Sequence, residues 1–244
     1  MKSILHLAKA LVFIAILAVS CDLMAKSVRG DGNVITRDME VEFFHAVSLS
    51  LPATVKYSES DSFSCSVQVD SNLMEHLDIR VDDGRLILAA KQKVNLRPTR
   101  LIIEIGAPTL DRVHLAGSGS LQVGTDFSSP VLDLDIAGSG RMVFSGASAI
   151  RDLDISIAGS GDLCFKDLTS DSVDVSVAGS GDLRVEEGYI KGMNISVAGS
   201  GAVKTLCRMD TMTYSIAGSG LIQYVGDVDV SGRTAGSGKI KRIR

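Results

Sequence analysis

Asp133, Asp154 and Asp174 lie 21 and 20 residues apart, each five positions before the first glycine of an Ala-Gly-Ser-Gly tetrapeptide. If these segments stack as strands about 4.8 Å apart, the three carboxylates form a column. Like charges at that spacing repel, so a cation such as calcium would be favoured among them. The expected reading is a solvated acidic strip, relieved by ionic screening and by splayed side chains. The three aspartates are therefore the metal candidates of a chain in which no metal site is expected. Gly159-Ser160-Gly161-Asp162 and Gly179-Ser180-Gly181-Asp182 look like calcium-binding nonapeptide rolls, but those repeat every nine residues, and here the period is about 20. No Gly-x-Ser-x-Gly elbow activates any of the many serines. His45, His76 and His114 are too scattered to predict a metal centre, and are expected as isolated surface or cap residues. No catalytic residue and no cofactor is expected.

A different chemistry is written at the N-terminus. Lys2 and Lys9 precede the uncharged apolar run Ala10 to Val19, which is too short to span a bilayer and reads as a signal peptide over 1–20. Leu17-Ala18-Val19-Ser20-Cys21 resembles a bacterial lipobox, after which Cys21 would be lipidated and residues 21–33 would form a flexible tether. Ordinary secretion with cleavage near Ala25 is the competing reading. The membrane is thus an expected partner, through a lipid anchor. Removing residues 1–20 takes two of the 25 basic residues and none of the 29 acidic ones, a formal charge of −6. No nucleic-acid partner is expected. Cys65, Cys164 and Cys207 are an odd set, and Cys164 and Cys207 lie two repeats apart, beyond disulfide reach. They are expected as separate thiols.

The elements that position these residues follow from the repeat. Ala-Gly-Ser-Gly occurs seven times, with first glycines Gly117, Gly138, Gly159, Gly179, Gly199, Gly218 and Gly236, at spacings of 21, 21, 20, 20, 19 and 18. Apart from Thr205, apolar residues sit two and four before and four and six after each of the first six of these glycines: Ile155, Ile157, Leu163 and Phe165 around Gly159 are one set. Period-two alternation on both sides of a small corner predicts strand, corner, strand, then a short connection. A fixed short period predicts a solenoid. The fold class is all-β: a right-handed parallel β-solenoid of about seven rungs over 107–244. The shortening period falls entirely in the connection, which shrinks from 8 to 5 residues. The serines Ser118 to Ser237 are expected to form a hydroxyl ladder. The last rung carries Gly232, Thr234 and Arg242 on its inward rows, and reads as a polar cap against stacking. Tyr214 and Tyr224 fall on inward rows, leaving Tyr57 and Tyr189 as the aromatic candidates for carbohydrate stacking.

Residues 34–106 lack the motif but alternate in short runs: Val34 to Phe44, Ala46 to Leu51, Val55 to Ser58, Ser64 to Val69, Leu77 to Val81, Leu86 to Ala90 and Leu101 to Ile105. Asp82-Asp83-Gly84-Arg85 reads as a tight turn and Asn72 to His76 as one helical turn. This β-rich segment is expected to cover the first rung, forming one continuous structure with the solenoid.

Gly30 to Asn33, a Phe-x-x-Val strand near 44–47, Asp70 to Leu73, the Val81 to Leu86 hairpin and the recurrent Ser-Gly-x-Gly-like rungs together resemble the bacterial putative auto-transporter adhesin, head GIN domain family, over about residues 30 to 243. The resemblance implies a β-helical fold and an exported envelope location, and it brings no assigned catalytic or binding residues. The expected function is non-enzymatic. The chain would be an outer-membrane lipoprotein, periplasmic or surface-facing, that presents a rigid solenoid to an unknown protein or glycan partner. An envelope-sensing or assembly scaffold is the alternative. A polysaccharide-active enzyme is third, because connections of 5 to 8 residues leave no room for the long loops that carry acids and bases in such enzymes. Neither the partner nor the oligomeric state is legible in the sequence.

Overall fold

The computed structural model describes residues 26–92 and 94–243; the signal segment and Cys21 lie outside the described residues. The chain opens with β1 (Lys26–Arg29), β2 (Val34–Met39), β3 (Ala46–Leu49), β4 (Thr54–Glu59) and β5 (Ser64–Asp70). A 3-10 turn at Ser71–His76 leads to β6 (Leu77–Asp82), β7 (Arg85–Ala90), β8 (Val94–Arg97) and β9 (Leu101–Ala107). The repeat region follows as β10 (Arg112–Gly117), β11 (Ser120–Val123), β12 (Phe127–Gly138), β13 (Arg141–Gly159), β14 (Asp162–Gly179) and β15 (Asp182–Gly199). It ends with β16 (Ala202–Thr205), β17 (Arg208–Gly218), β18 (Leu221–Tyr224), β19 (Asp229–Gly236) and β20 (Lys239–Arg242).

The fold is the expected all-β solenoid of stacked parallel coils. All seven motif glycines lie in one register column. The strand before the motif forms one wall and the strand after it a second. Val113, Leu134, Ile155, Val175 and Ile195 stack in one buried column, and Leu121, Met142, Leu163, Leu183, Val203 and Ile222 in another. Tyr57, Phe127, Phe144 and Phe165 run along the interior with successive ring centroids 5.8, 5.7 and 4.5 Å apart.

The motif itself has a steric explanation. First glycines take φ between +95° and +132°, where a β-carbon is strained. A β-carbon at Gly138 would also lie 2.7 Å from the Gly117 carbonyl oxygen. That carbonyl accepts the Ser139 amide at 2.9 Å, and the same bond recurs from Ser160 to Gly138 and from Ser180 to Gly159 at 2.8 Å. The second glycine answers a different neighbour. A β-carbon at Gly201 would lie 2.7 Å from Cγ1 of Val177, an inward side chain of the preceding coil, as well as 2.5 Å from the Gly181 carbonyl oxygen. The motif serines are not a hydroxyl ladder as expected: among the described residues their hydroxyls bond neither to one another nor across coils, and the ladder runs through the backbone.

The connection is itself a third wall. Strand β13 is continuous from Arg141 to Gly159 and pairs with β14 along most of its length. This wall mixes apolar and polar residues in its inward columns, as in Ser129, Ile150, Ser170 and Ile190. Ser170 Oγ donates to the carbonyls of Arg151 and Ser172 at 3.1 and 3.0 Å, so its burial leaves no unsatisfied hydroxyl. The shortening of the period lies in this wall. The offset between β13 and β14 drops from 21 at Phe144 to 20 at Ala147, and between Val185 and Tyr189 it drops from 20 to 19.

The N-terminal segment is continuous with the solenoid, and more intimately than a cover. Strands β3 and β4 pair in parallel with β10 and β11, and β7 and β9 pair in parallel with β3 and β4. Two coils without the motif therefore precede the seven that carry it, and the inner one is laid down first in the chain. The true cap is antiparallel: β5 on β9, β2 on β5 and β6 on β7, the last pair joined at Asp83 and Gly84, whose φ values are +48° and +68°.

Residues 26–33, expected within a flexible tether, belong to this cap. Strand β1 pairs with β8, and the fully buried Asp70 accepts from the Gly32 amide at 2.9 Å, the Thr99 amide at 2.8 Å and the Thr99 hydroxyl at 2.5 Å. A β-carbon at Gly30 would collide with the Asp70 carboxyl. Burial pushes the Asp70 pKa up, but the Thr99 hydroxyl and the Thr99, Gly32 and Arg100 amides outweigh it and leave it lowered. The clip thus stabilises the fold above the ordinary carboxylate range, and its contribution is lost as pH falls through the lowered value.

Ile157→Asp places an unpaired charge in a column that is 1% exposed and is expected to cost about 4 kcal/mol or more. Ser156→Asp, on the outward face, is expected to cost about 1 kcal/mol or less. Thermal and denaturant melting of the two variants measures this; equal losses would mean that the inward and outward rows are misassigned.

Candidate binding surface

The outward face of the first wall carries two polar columns. One runs Arg112, Asp133, Asp154, Asp174, Asn194, Thr213 and Ser231, and the other His114, Asp135, Ser156, Ser176, Ser196, Ser215 and Arg233. The three sequence-predicted aspartates are thus adjacent in register. Their charges are handled differently. Asp133 Oδ2 accepts from Arg112 Nε at 3.1 Å and from its terminal nitrogen at 2.6 Å. Asp174 Oδ1 accepts from Asn194 Nδ2 at 3.0 Å, and Asn194 Oδ1 from Thr213 Oγ1 at 2.8 Å. Asp154 has no partner among the described residues. Desolvation raises its pKa, and the charges of Asp133, Asp174 and Asp135 push it further the same way. The hydrogen bond from Arg112 to Asp133 in turn raises the guanidinium's pKa. Among the described residues no three histidine, cysteine or carboxylate side chains are placed to hold a metal ion.

Where this wall meets the motif-free coils it forms a groove of about 520 Å³, lined by Arg85, Arg112, His114, Asp133, Asp135 and Asp154. Arg85 enters the same column through Ala46. The groove and the short side chains beyond it make a rigid lattice of donors and acceptors, repeating at about the strand spacing. Such a lattice suits an extended polar ligand.

Other sequence-predicted positions fall elsewhere. Tyr57 is buried, and its hydroxyl donates to the Ala107 carbonyl at 2.9 Å, so it is no stacking platform. Tyr189 is 38% exposed and hydrogen-bonds Asp210. His45 is not isolated: Nδ1 lies 2.8 Å from Asp111 Oδ2. The three described cysteines are free, and burial raises the Cys65 and Cys207 thiols to about 11. Phe43 escaped the sequence reading, which took aromatic platforms only from tyrosine. It is 62% exposed, packs edge-on against Phe63 and lies 5.7 Å from the His45 ring. On the second wall, Val143, Cys164, Arg141, Arg184, Lys204, Asp162 and Asp182 are among the residues lining a groove of about 450 Å³, in which Arg141 pairs with Asp162 at 2.7 Å and Arg184 with Glu186 at 3.0 Å.

The family described as "Putative auto-transporter adhesin, head GIN domain" matches residues 43–150 and 131–243. The chain belongs to that family. No curated protein matches it. Among solved structures, a putative lipid binding protein from Parabacteroides distasonis ATCC 8503 is 28% identical, with a TM-score of 0.78 over 90% of this chain and 100% of its own. A putative adhesin from Parabacteroides merdae ATCC 43184 is 20% identical, also with a TM-score of 0.78 and the same coverage. A putative adhesin from Bacteroides fragilis NCTC 9343 is 20% identical, with a TM-score of 0.78 over 88% and 100%. The last two show the fold alone. The family and these neighbours are described as adhesins or binding proteins, not as enzymes, and an adhesin-like family implies an envelope-associated or surface-associated protein.

Because the folded pKa of Asp154 is raised, its contribution to stability is present in acid and is lost as pH rises through that value. Asp154→Asn is therefore expected to raise the melting temperature slightly at pH 7, with the gain vanishing below pH ~4, the ordinary carboxylate range. A pH-independent difference, or a loss at pH 7, would contradict the repulsion. Added calcium is expected to act on both proteins as general salt does; a calcium-specific rise lost in Asp154→Asn would make the strip a cation site.

Proposed function

We propose that the chain is a cell-envelope lipoprotein, held in the outer membrane by lipidated Cys21, that presents the first wall to a protein or glycan partner in adhesion. The carrying observation is the wall itself: two in-register polar columns on a rigid support, opening at one end into a charged groove. The lipobox-like sequence supports the anchor. Cys21 is five residues from Lys26, at most about 18 Å of extended chain, which keeps the capped end within that reach of the bilayer. From the β7/β9 coil to the β19/β20 coil is roughly 40 Å at the strand spacing, enough to carry the wall clear of the lipid surface. A sensing or assembly scaffold is compatible with the same wall. A second reading has its own observation: the part-apolar groove around Cys164 suits an acyl chain, with Lys204 as the one lining cation that makes no ion pair among the described residues, and the relative from Parabacteroides distasonis ATCC 8503 is described as lipid-binding.

Three variants test this together. Cys21→Ser is expected to leave the membrane fraction and to carry no lipid by mass spectrometry. A mature N-terminus at Lys26 without lipid would overturn the anchor. In pull-downs from envelope extracts and on glycan arrays, His114→Ala with Asp135→Ala is expected to weaken capture at least about tenfold with unchanged melting temperature, a loss of about 1.4 kcal/mol. Unchanged capture would remove the first wall from the reading. Loss of binding only in Cys164→Arg would favour the lipid groove.

A further inference from the structure

The two ends of the solenoid are both open sheet edges, and they are not alike. At the C-terminal end the outermost strands are β19 and β20, which have no partner beyond them among the described residues. At the other end the outermost strands are β2 and β6. Strand β2 is antiparallel to β5, which is antiparallel to β9, so β2 runs in the same direction as the second-wall strands β4, β11 and β20. A second copy placed coaxially can therefore continue that wall with another parallel pair.

The side chains on these two edges are complementary. Asp38-Met39-Glu40-Val41-Glu42 alternates exposed acids with apolar residues packed against the core. Lys239-Ile240-Lys241 alternates exposed bases around Ile240, which is also packed against the core. A register that sets Lys239 and Lys241 beside Asp38 and Glu40 on the outward face sets Ile240 beside Met39 on the inward face. Both edges also leave apolar surface incompletely covered: Val34 is 38% exposed, Tyr214 and Tyr224 are only partly buried beneath the last coil, and Val230 and Ile240 are only partly buried within it.

We propose that these ends form a self-association surface, in which the basic β20 edge of one copy adds to the acidic run Asp38 to Glu42 of the next, which begins in β2 after Arg37 and continues past the strand's end. Like ends repel: Lys239, Lys241 and Arg242 oppose tail-to-tail pairing, and Asp38, Glu40 and Glu42 oppose head-to-head pairing. The polar last coil thus excludes its own kind and leaves one permitted neighbour. The contact is heterologous, so it propagates into a filament instead of closing as a dimer. In this register the row of ion pairs is joined to strand contact only at Asp38 and Met39, the last two residues of β2.

The test is site-directed cross-linking of the purified full chain in detergent, where the capped end is not held at a bilayer. All variants carry Cys164→Ser, since that thiol is half-exposed. Glu40→Cys with Lys241→Cys, treated with a short bis-maleimide, is expected to give a ladder of multimers. Either single substitution is expected to stay monomeric, and a mixture of the two singles is expected to give dimers. In sedimentation of the purified chain, Lys239→Glu with Lys241→Glu is expected to weaken association at least about tenfold. Adding Asp38→Lys and Glu40→Lys to that chain is expected to restore association, which separates lost contact from lost fold. No ladder above the Cys164→Ser background, a single variant that cross-links to itself, or association indifferent to both reversals would overturn the proposal, and the last coil would then be a simple cap.

Discussion

From Gly117 to Gly199 the carbonyl oxygen of the first motif glycine accepts the amide of the next coil's serine at 2.8 to 2.9 Å, in a space that a β-carbon would occupy, and at Gly218 it accepts the Gly238 amide instead. The rest of the repeat region follows from this contact. It pins each coil to its neighbour without slippage, and a slip of one residue would turn every inward side chain outward. The second glycine lets the corner close over the inward leucine, isoleucine or valine of the coil before it. Corner and core are therefore one constraint: the glycines are fixed by the stacking, and the stacking fixes the columns of Ile155, Ile157, Leu163 and Phe165.

Much of this was legible from residue spacing. The seven corners, the two flanking walls, the inward columns, the hairpin at Asp83-Gly84 and the place where the period shortens all follow from alternation and counting. What escaped had physical reasons. The third wall was hidden because buried Ser129 and Ser170 satisfy their hydroxyls on nearby carbonyls, so its inward column does not look apolar. The two motif-free coils were hidden because Ser50 to Ala53 turn the first corner without the glycine signature, and because the coils stack out of chain order. The clip at Asp70 was invisible because its partners, Gly32 and Thr99, are distant in sequence. The acidic column was legible as a column. Its pairing was not, since Arg112 and Asn194 become partners of Asp133 and Asp174 only through side-chain geometry across coils 21 and 20 residues apart.

The same rigidity bears on function. A solenoid with a continuous core cannot reshape itself around a partner, so recognition falls to what the outward columns present and to the two ends. The first wall presents short hydrogen-bonding side chains with one isolated carboxylate, Asp154. The two ends differ in charge and in the way they are finished: an antiparallel cap at one, an open basic coil at the other.

The central claim is that backbone contact at the first glycine holds the coils together. Melting of Gly159→Ala against Ser160→Ala tests it most directly, because the two residues are neighbours and only the glycine has φ of +125° and backbone in the path of a β-carbon. The account predicts that Gly159→Ala loses at least about 2 kcal/mol while Ser160→Ala stays within about 0.5 kcal/mol of the parent. Similar melting temperatures for the two variants would contradict it.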